Sequence, residues 1–509
     1  MQKTILTFDC GTQSIRAMLY DTKGELLAKA KRKYDEPYFS VKPHYAEQHA
    51  DFYWENLCAS AKELKEQNAG LWDSIIGVTV TCMRDVGICL DADMKPLRPA
   101  MLWLDVRKAP PPKLPLMGRA LYSLVGMKEI VRMKSDDCKS SWIRHHEPEI
   151  WAKTAKFVQL SAYLNYKLTG VLSDSVASTV GHIPFDYKKG EWLKDNHWQA
   201  SLFRVEYNKL YPLAKPGELL GEITETASKE SGVLKGLPVV ASGSDKSCET
   251  VGTGAIYEDC ASISFGTTST MQLTTKKYCE PVKFLPAYQA VYAGRFNPEF
   301  IIYRGYWLLT WFVEQFMKGE KEKLKDGSVE AKLNEKLKDV PPCCQGLYLM
   351  PYWNPGINLP EARGTMIGFT AAHTAVHVYR ALIEGINFEL KKGMEVLEKQ
   401  AKTKVKRLFV SGGGAQSDEI LQITADMFNL PVTRVQTVET SGLGAAVCAF
   451  SGLKVFPSLE DAIKNMVTET KTFTPNPEIH RIYKDFYENI YKTTYKKLKK
   501  VFKIIHEKH

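Results

Sequence analysis

A chain of 509 residues, 44% hydrophobic and 25% charged, has the make-up of a globular protein with two or more domains and a large core. No apolar run reaches the roughly 18 residues that a spanning helix needs, and an N-terminus with Asp9, Arg16 and Asp21 inside an alternating apolar pattern starts a strand rather than a signal peptide. The net charge of +10 owes much to the lysines between Lys492 and His509, but Tyr487, Tyr491, Tyr495, Leu498 and Phe502 recur there at helical spacing, so the charge is read as a solvated helix face and not as a nucleic-acid or membrane patch.

The chain opens with the stretches Thr4–Ser14, Ile15–Asp21 and Glu25–Ala28, which read as short antiparallel strands joined by glycine-containing turns. A helix is expected near Asp51–Asn68, with Asp51 as its cap, then a buried strand at Ile75–Thr81 and further strands at Gly87–Asp91 and Ala100–Leu104. Pro110-Pro111-Pro112 marks a loop, after which helical patterns run to about residue 170. Leu237–Asp245 is a strand ending in a polar turn, and a second strand-rich block begins at Cys260. Thr374–Ala401 is a long helix, Arg407–Val410 a strand, Asp418–Asn429 a helix and Leu430–Val432 a short strand. Gly442-Leu443-Gly444-Ala445-Ala446 starts a helix of small residues able to pack closely. The eleven cysteines follow no zinc spacing and are read as reduced thiols of a cytoplasmic enzyme.

The second block echoes the first. Gly11-Thr12-Gln13-Ser14 and Gly266-Thr267-Thr268-Ser269 are both Gly-Thr-x-Ser turns after an apolar strand, half a chain apart. Such a repeat suggests two related α/β domains facing one another. Each turn offers backbone amides and hydroxyls to a phosphate. Asp9 is placed to hold Mg²⁺ through water, and Arg16 to neutralise charge. Ser411-Gly412-Gly413-Gly414, at the end of a strand, suits a nucleotide lying against backbone; neither a Rossmann nor a Walker motif is present. Asp245 after its apolar strand can accept a proton from a hydroxyl, the alternative being a helix cap. Arg84-Asp85 can donate to and accept from neighbouring hydroxyls of a polyol, or form a plain surface ion pair. Trp103 and Asp105 line the same pocket in this reading, although Trp103 equally suits a core.

Taken together these residues resemble the FGGY family of carbohydrate kinases, within the sugar kinase, heat-shock chaperone and actin superfamily, over nearly the whole chain. The resemblance covers residues 5–21, 81–107, Asp245 with Gly252 and Gly254, residues 262–271 and 408–418, and the helix at Gly442. It implies an α/β fold of two ribonuclease H-like (actin-like ATPase) domains with a ligand cleft between them: residues 1–255 binding sugar and carrying the catalytic Asp, residues 256–509 binding ATP. It implies ATP and Mg²⁺ as cofactors, Asp245 as base, and Asp9 with Asp245 as metal anchors. Arg84, Asp85, Trp103, Asp105 and Lys246 would meet the sugar. Gly11, Thr12, Gln13, Ser14, Arg16, Gly266, Thr267, Thr268, Ser269, Gly412, Gly413, Gly414 and Ser417 would meet ATP. Arg84-Asp85 is similar to the Arg-Glu of glycerol kinase-like members, whereas Leu102-Trp103-Leu104-Asp105-Val106-Arg107 resembles the xylulokinase side. Lys246 stands where glycerol kinases carry Gln; it can lower the pKa of Asp245 or meet an anionic substrate. The expected acceptor is a ketopentose such as xylulose, with a glycerol-like polyol as alternative and a non-catalytic sugar- or nucleotide-binding regulator as the reading from another class. Family members are often homodimers.

Overall fold

A computed structural model describes residues 2–111, 135–197, 199–283, 285–323, 327–354 and 359–508. Pro112 and the part of the expected helical stretch over residues 112–134 lie outside the described residues. The strands of the two main sheets are β1 (Thr4–Cys10), β2 (Ser14–Asp21), β3 (Leu26–Lys33), β4 (Ile75–Cys82), β5 (Leu219–Glu222), β6 (Pro238–Val240), β7 (Cys260–Phe265), β8 (Ser269–Leu273), β9 (Glu299–Ile302), β10 (Arg407–Ser411), β11 (Val432–Val435) and β12 (Glu469–Phe473). The helices used below are α1 (Ala50–Gln67), α2 (Leu160–Thr169), α3 (Asp245–Gly252), α4 (Ala375–Ala401), α5 (Asp418–Phe428), α6 (Thr440–Gly452), α7 (Pro477–Phe486) and α8 (Lys492–Lys508). The chain forms two compact units. Unit 1 is Met1–Gly252, Pro286–Phe296 and Thr440–Val467; unit 2 is Thr253–Leu285, Asn297–Glu439 and Thr468–His509.

In unit 1 the sheet order is β5-β6-β4-β1-β2-β3. β1 runs antiparallel to β2, with Asp9 opposite Arg16, and parallel to β4, with Asp9 beside Thr81. Every residue of β1 is buried, as expected of a central strand covered on both faces. α1 packs on β2 and β3, and α6 on β1 and β4. The core gathers Leu6, Phe8, Leu19, Tyr53, Leu57 and Val78. α1 forms where expected, but its cap position is His49 and Asp51 lies inside the first turn, where its carboxylate accepts from the Tyr163 hydroxyl. The strand expected over Ala100–Leu104 is only Ala100–Met101.

α3 and α6, both in unit 1, pack glycine against backbone. A Cβ on Gly252 would stand 1.9 Å from the Thr440 carbonyl oxygen, and one on Gly444 would stand 1.8 Å from that of Cys248. The small-residue pattern of α6 is therefore a packing requirement, since any side chain there forces the helices apart.

In unit 2 the order is β9-β8-β7-β10-β11-β12, with β7 antiparallel to β8 and parallel to β10. α4 packs on β8 and β9, and α5 on β11 and β12. Tyr487, Tyr491 and Phe502 join the unit 2 core, and Tyr495 and Leu498 pack against it, so the basic C-terminal helix buries one face and leaves its lysines outward. All eleven cysteines are free thiols. Among the described residues no helix is long and apolar enough to cross a membrane.

Candidate active site

The β1–β2 turn is closed by the Gly11 amide donating to the Ser14 carbonyl at 3.0 Å. Asp9, in the last turn-proximal stretch of β1, is buried; one carboxylate oxygen accepts from Arg16 Nη1 at 3.0 Å and from Ser441 Oγ of α6 at 2.7 Å. Thr12 accepts from Trp103 Nε1 at 2.8 Å. The aromatic expected at the sugar thus braces the β1–β2 turn. Gln13 is exposed at the tip, and Ser14 is buried as it opens β2. Ser441 was not legible in the sequence. It lies 432 positions from Asp9, and nothing local to Thr440-Ser441 signals the contact.

The stretch between β6 and α3 is pinned on several sides before it delivers Asp245. Thr79 Oγ1 donates to the Val240 carbonyl and Thr81 Oγ1 to that of Gly243, both at 2.9 Å; Ser242 Oγ donates to Val80 O at 2.8 Å. Ser244 takes the capping role for α3, its Oγ accepting from the Ser247 amide at 3.4 Å. Asp245 is the first helical residue, and its carboxylate accepts the adjacent Lys246 amide at 2.8 Å. Burial pushes the Asp245 carboxyl up to about 6; Lys246 and Arg84 pull it down and Asp9 pushes it up. Those influences fall with distance, so Asp9, Arg84, Lys246 and Asp245 share one neighbourhood. Lys246 donates to Glu249 Oε2 at 2.8 Å. Burial lowers the Lys246 pKa, but Glu249 and Asp245 outweigh it and the net shift is upward.

Arg84 lies over the Tyr288 ring, 5.1 Å from its centroid. Tyr288 belongs to the Pro286–Phe296 segment, which is part of unit 1 despite its place in the second half of the chain. Asp85 has a left-handed backbone (φ 56°) and accepts from Lys139 Nζ at 2.7 Å and His182 Nδ1 at 3.0 Å. Burial raises its pKa, yet Lys139 and His182 more than reverse that and hold it well below the usual carboxylate range. Asp105 behaves differently from the sequence expectation of a sugar contact. One oxygen accepts from the Ala46 amide at 2.9 Å and both accept from the buried Arg107 guanidinium, which also reaches Glu47. Its acceptor capacity is spent inside the chain, because Arg107 is wedged over Tyr45 and Trp142 and needs a counter-charge.

In unit 2 the second turn is held by the chain that follows β9. Gly305 N donates to Thr267 O at 2.9 Å and Tyr306 N to Gly266 O at 3.0 Å, while Thr268 Oγ1 donates to Tyr303 O at 3.3 Å. Ser269 is fully buried at the start of β8. The glycine loop after β10 lies against this turn. A Cβ on Gly412 (φ 81°) would stand 2.8 Å from the Phe265 carbonyl carbon and 3.1 Å from Gly266 N, and one on Gly414 would stand 2.3 Å from the Tyr306 ring. Around Gly413 there is open space. Two motifs far apart in sequence therefore make one backbone-lined surface. Ser417 is the cap of α5, its Oγ accepting from Ile420 N at 3.3 Å and donating to Glu419.

Among the described residues no group of three or more His, Cys, Asp or Glu could hold a metal. Mg²⁺ in phosphoryl transfer needs only one or two carboxylates, the remaining positions going to phosphate and water. Asp9 and Asp245, close enough for one to raise the pKa of the other, fit that donor set.

Comparison with known proteins extends the picture. Residues 4–252 match the N-terminal domain of the FGGY family of carbohydrate kinases, and residues 261–453 its C-terminal domain. The chain is 29% identical to the uncharacterized sugar kinase YgcE of Escherichia coli K12, over 99% of this chain and 96% of that one. It is 28% identical to a xylulose kinase of Lactococcus lactis, over 95% of this chain and 96% of the relative. The ligand-bound xylulose kinase structure from Lactobacillus acidophilus superposes with a TM-score of 0.83 at 19% identity, covering 99% of this chain and 100% of the other. That structural likeness shows the fold, an α/β actin-like ATPase architecture of two domains.

Proposed function

Because the chain belongs to the FGGY family of carbohydrate kinases, phosphotransferases that use ATP and a sugar hydroxyl, we propose that it phosphorylates a ketopentose such as xylulose, with Asp245 as catalytic base. The observation that carries this is the setting of Asp245. It is a half-buried carboxylate whose pKa is pushed up to about 6, flanked by Arg84, Lys246 and Asp9. A base at that value is ionised at neutral pH yet takes a proton far more readily than an ordinary carboxylate.

Asp245 orients the acceptor hydroxyl and accepts its proton as the phosphoryl group arrives. Arg84 and Asp85 grip neighbouring hydroxyls, and Trp103 walls the sugar while holding Thr12 in place. The Gly11–Ser14 and Gly266–Ser269 turns offer amides and hydroxyls to phosphate oxygens, and the Gly412–Gly414 loop offers a flat backbone surface to adenosine. Asp9 and Asp245 would hold Mg²⁺ through water; when bound, the metal neutralises phosphate charge. Asp105 and Ser417 act at one remove, the first by holding Arg107, the second by capping α5. Domain roles follow: the N-terminal half binds sugar and supplies the base, and the C-terminal half binds nucleotide. The free thiols suit the cytoplasm. The Arg84-Asp85 pair supports a glycerol-like polyol as the second acceptor reading.

The test is a coupled ADP-release screen of glycerol, pentuloses, pentitols and hexuloses. A ketopentose should give the highest kcat/KM, and Asp245→Ala should lower kcat on it by about 10²–10⁴-fold. Sugar-dependent turnover that survives in Asp245→Ala would refute the assignment of the base.

A further inference from the structure

Asp85 is held by more devices than stability requires. Its backbone occupies the left-handed region at φ 56°, which a residue with a Cβ adopts at a cost. Oδ2 accepts from Lys139 Nζ at 2.7 Å and His182 Nδ1 at 3.0 Å, and Oδ1 accepts from the His182 amide at 3.2 Å. Gly181 comes so close that a Cβ there would stand 2.5 Å from Oδ1. The Lys139 side chain is 6% exposed and that of Asp85 18%. Asp85 is the partner the structure gives the Lys139 ammonium among the described residues.

A buried ion pair is a poor stabiliser, because desolvating both charges offsets their attraction. Strained backbone, a buried Lys–Asp pair and an obligatory glycine at one carboxylate therefore point to a site and not to scaffolding. An ionised carboxylate offers about four acceptor positions; here Oδ2 takes two donors and Oδ1 takes one. That leaves one acceptor position, on a side chain that is 18% exposed.

We propose that Lys139 and His182 are positioning residues that lock Asp85 so that its remaining Oδ1 lone pair accepts one non-reacting hydroxyl of the acceptor sugar, making this cluster a determinant of sugar selectivity. Lys139 sits at the start of the Lys139–His146 helix and His182 in the loop after Ser175, about 100 residues from Asp85 in sequence. Neither was marked by any motif. The inference rests on the sugar-kinase reading, and the experiment separates the two.

The test is a double-mutant cycle on full-length protein with the best acceptor of the screen and its monodeoxy analogues. Lys139→Met should raise the sugar KM about tenfold or more while the KM for ATP and kcat move less than about threefold. One monodeoxy analogue should be discriminated by wild type and not by Lys139→Met. Asp85→Asn combined with Lys139→Met should be no worse than Asp85→Asn alone, since Lys139 acts through Asp85. Lys139→Gln, which keeps a donor, serves if the Met variant does not fold. Additive effects of the two substitutions on the sugar KM, or an unchanged deoxy preference, would overturn the proposal. A wild type that phosphorylates no acceptor would instead sink the kinase reading and this inference with it.

Discussion

The two six-stranded sheets are the same sheet built twice, with different residues around the matching turns. Read outward from β1 and from β7, each has two antiparallel neighbours on one side, and on the other two parallel strands followed by an antiparallel edge. The turn after β1 and the turn after β7 are both Gly-Thr-x-Ser. What stands around them differs. In unit 1 Asp9 faces Arg16 and sits beside Thr81. In unit 2 the matching Ser264 faces Thr270 and sits beside Ser411. The residues after β4 include Arg84 and Asp85; those after β10 are Gly412, Gly413 and Gly414. One copy carries ionisable groups and the other carries bare backbone, which suits one to proton transfer and sugar binding and the other to lying against a nucleotide.

That contrast can be broken from either side. The largest effect after loss of Asp245 is expected in unit 2. Gly412→Ala puts a Cβ against Phe265 and Gly266 at a left-handed position, so the KM for ATP should rise about tenfold or more with the sugar KM unmoved. Equal rises in both constants would deny the division of labour. In unit 1, Arg84→Ala should do the converse, raising the sugar KM by about tenfold through loss of a charged hydrogen-bond donor, while equilibrium binding of ATP, measured by calorimetry, stays within about twofold.

The pH dependence sharpens the role of the charged copy. With Asp245 at about 6, kcat/KM should fall about tenfold per unit as pH drops below 6; activity flat down to pH 5 would exclude it as the base. The same shift has a stability sign. The folded value lies above the ordinary 3.8, so the fold favours the protonated form. Asp245's contribution is fullest below the unfolded pKa and is lost as pH rises through about 6. Asp245→Asn should therefore be more stable than wild type at pH 8, by on the order of 1–3 kcal/mol, and no more stable near pH 3.5. Urea midpoints at the two pH values measure this. The smallest effect belongs to Ser417→Ala, which should cost about 1 kcal/mol of stability as a lost cap and leave the KM for ATP unchanged; a large rise there would return Ser417 to the nucleotide.

Some of this was legible because it is local. A strand that alternates or is wholly apolar, a glycine turn and a carboxylate at a strand end each announce themselves within a few residues. The Gly-Thr-x-Ser turns therefore marked both hairpins, and the spacing at Tyr487, Tyr491 and Phe502 marked the buried face of the C-terminal helix. Asp51 misled as a cap because Asp suits both a cap and a first turn, and the Tyr163 hydroxyl decided between them. Asp105 misled because its neighbour Arg107 is two residues away in sequence, yet only burial over Tyr45 and Trp142 makes that guanidinium demand a counter-charge.

The chain order alone determined the paired α/β architecture, the two Gly-Thr-x-Ser turns and a carboxylate shortly after β6, because hydrophobic periodicity and turn chemistry act over short stretches. Only the tertiary structure decided that Ser441 touches Asp9, that Tyr288 lies beneath Arg84, and that Lys139 and His182 close on Asp85. Those contacts join residues 54 to 432 positions apart, and a hydrogen bond or an ion pair is set by where packing places two side chains, not by how far apart they stand in the sequence.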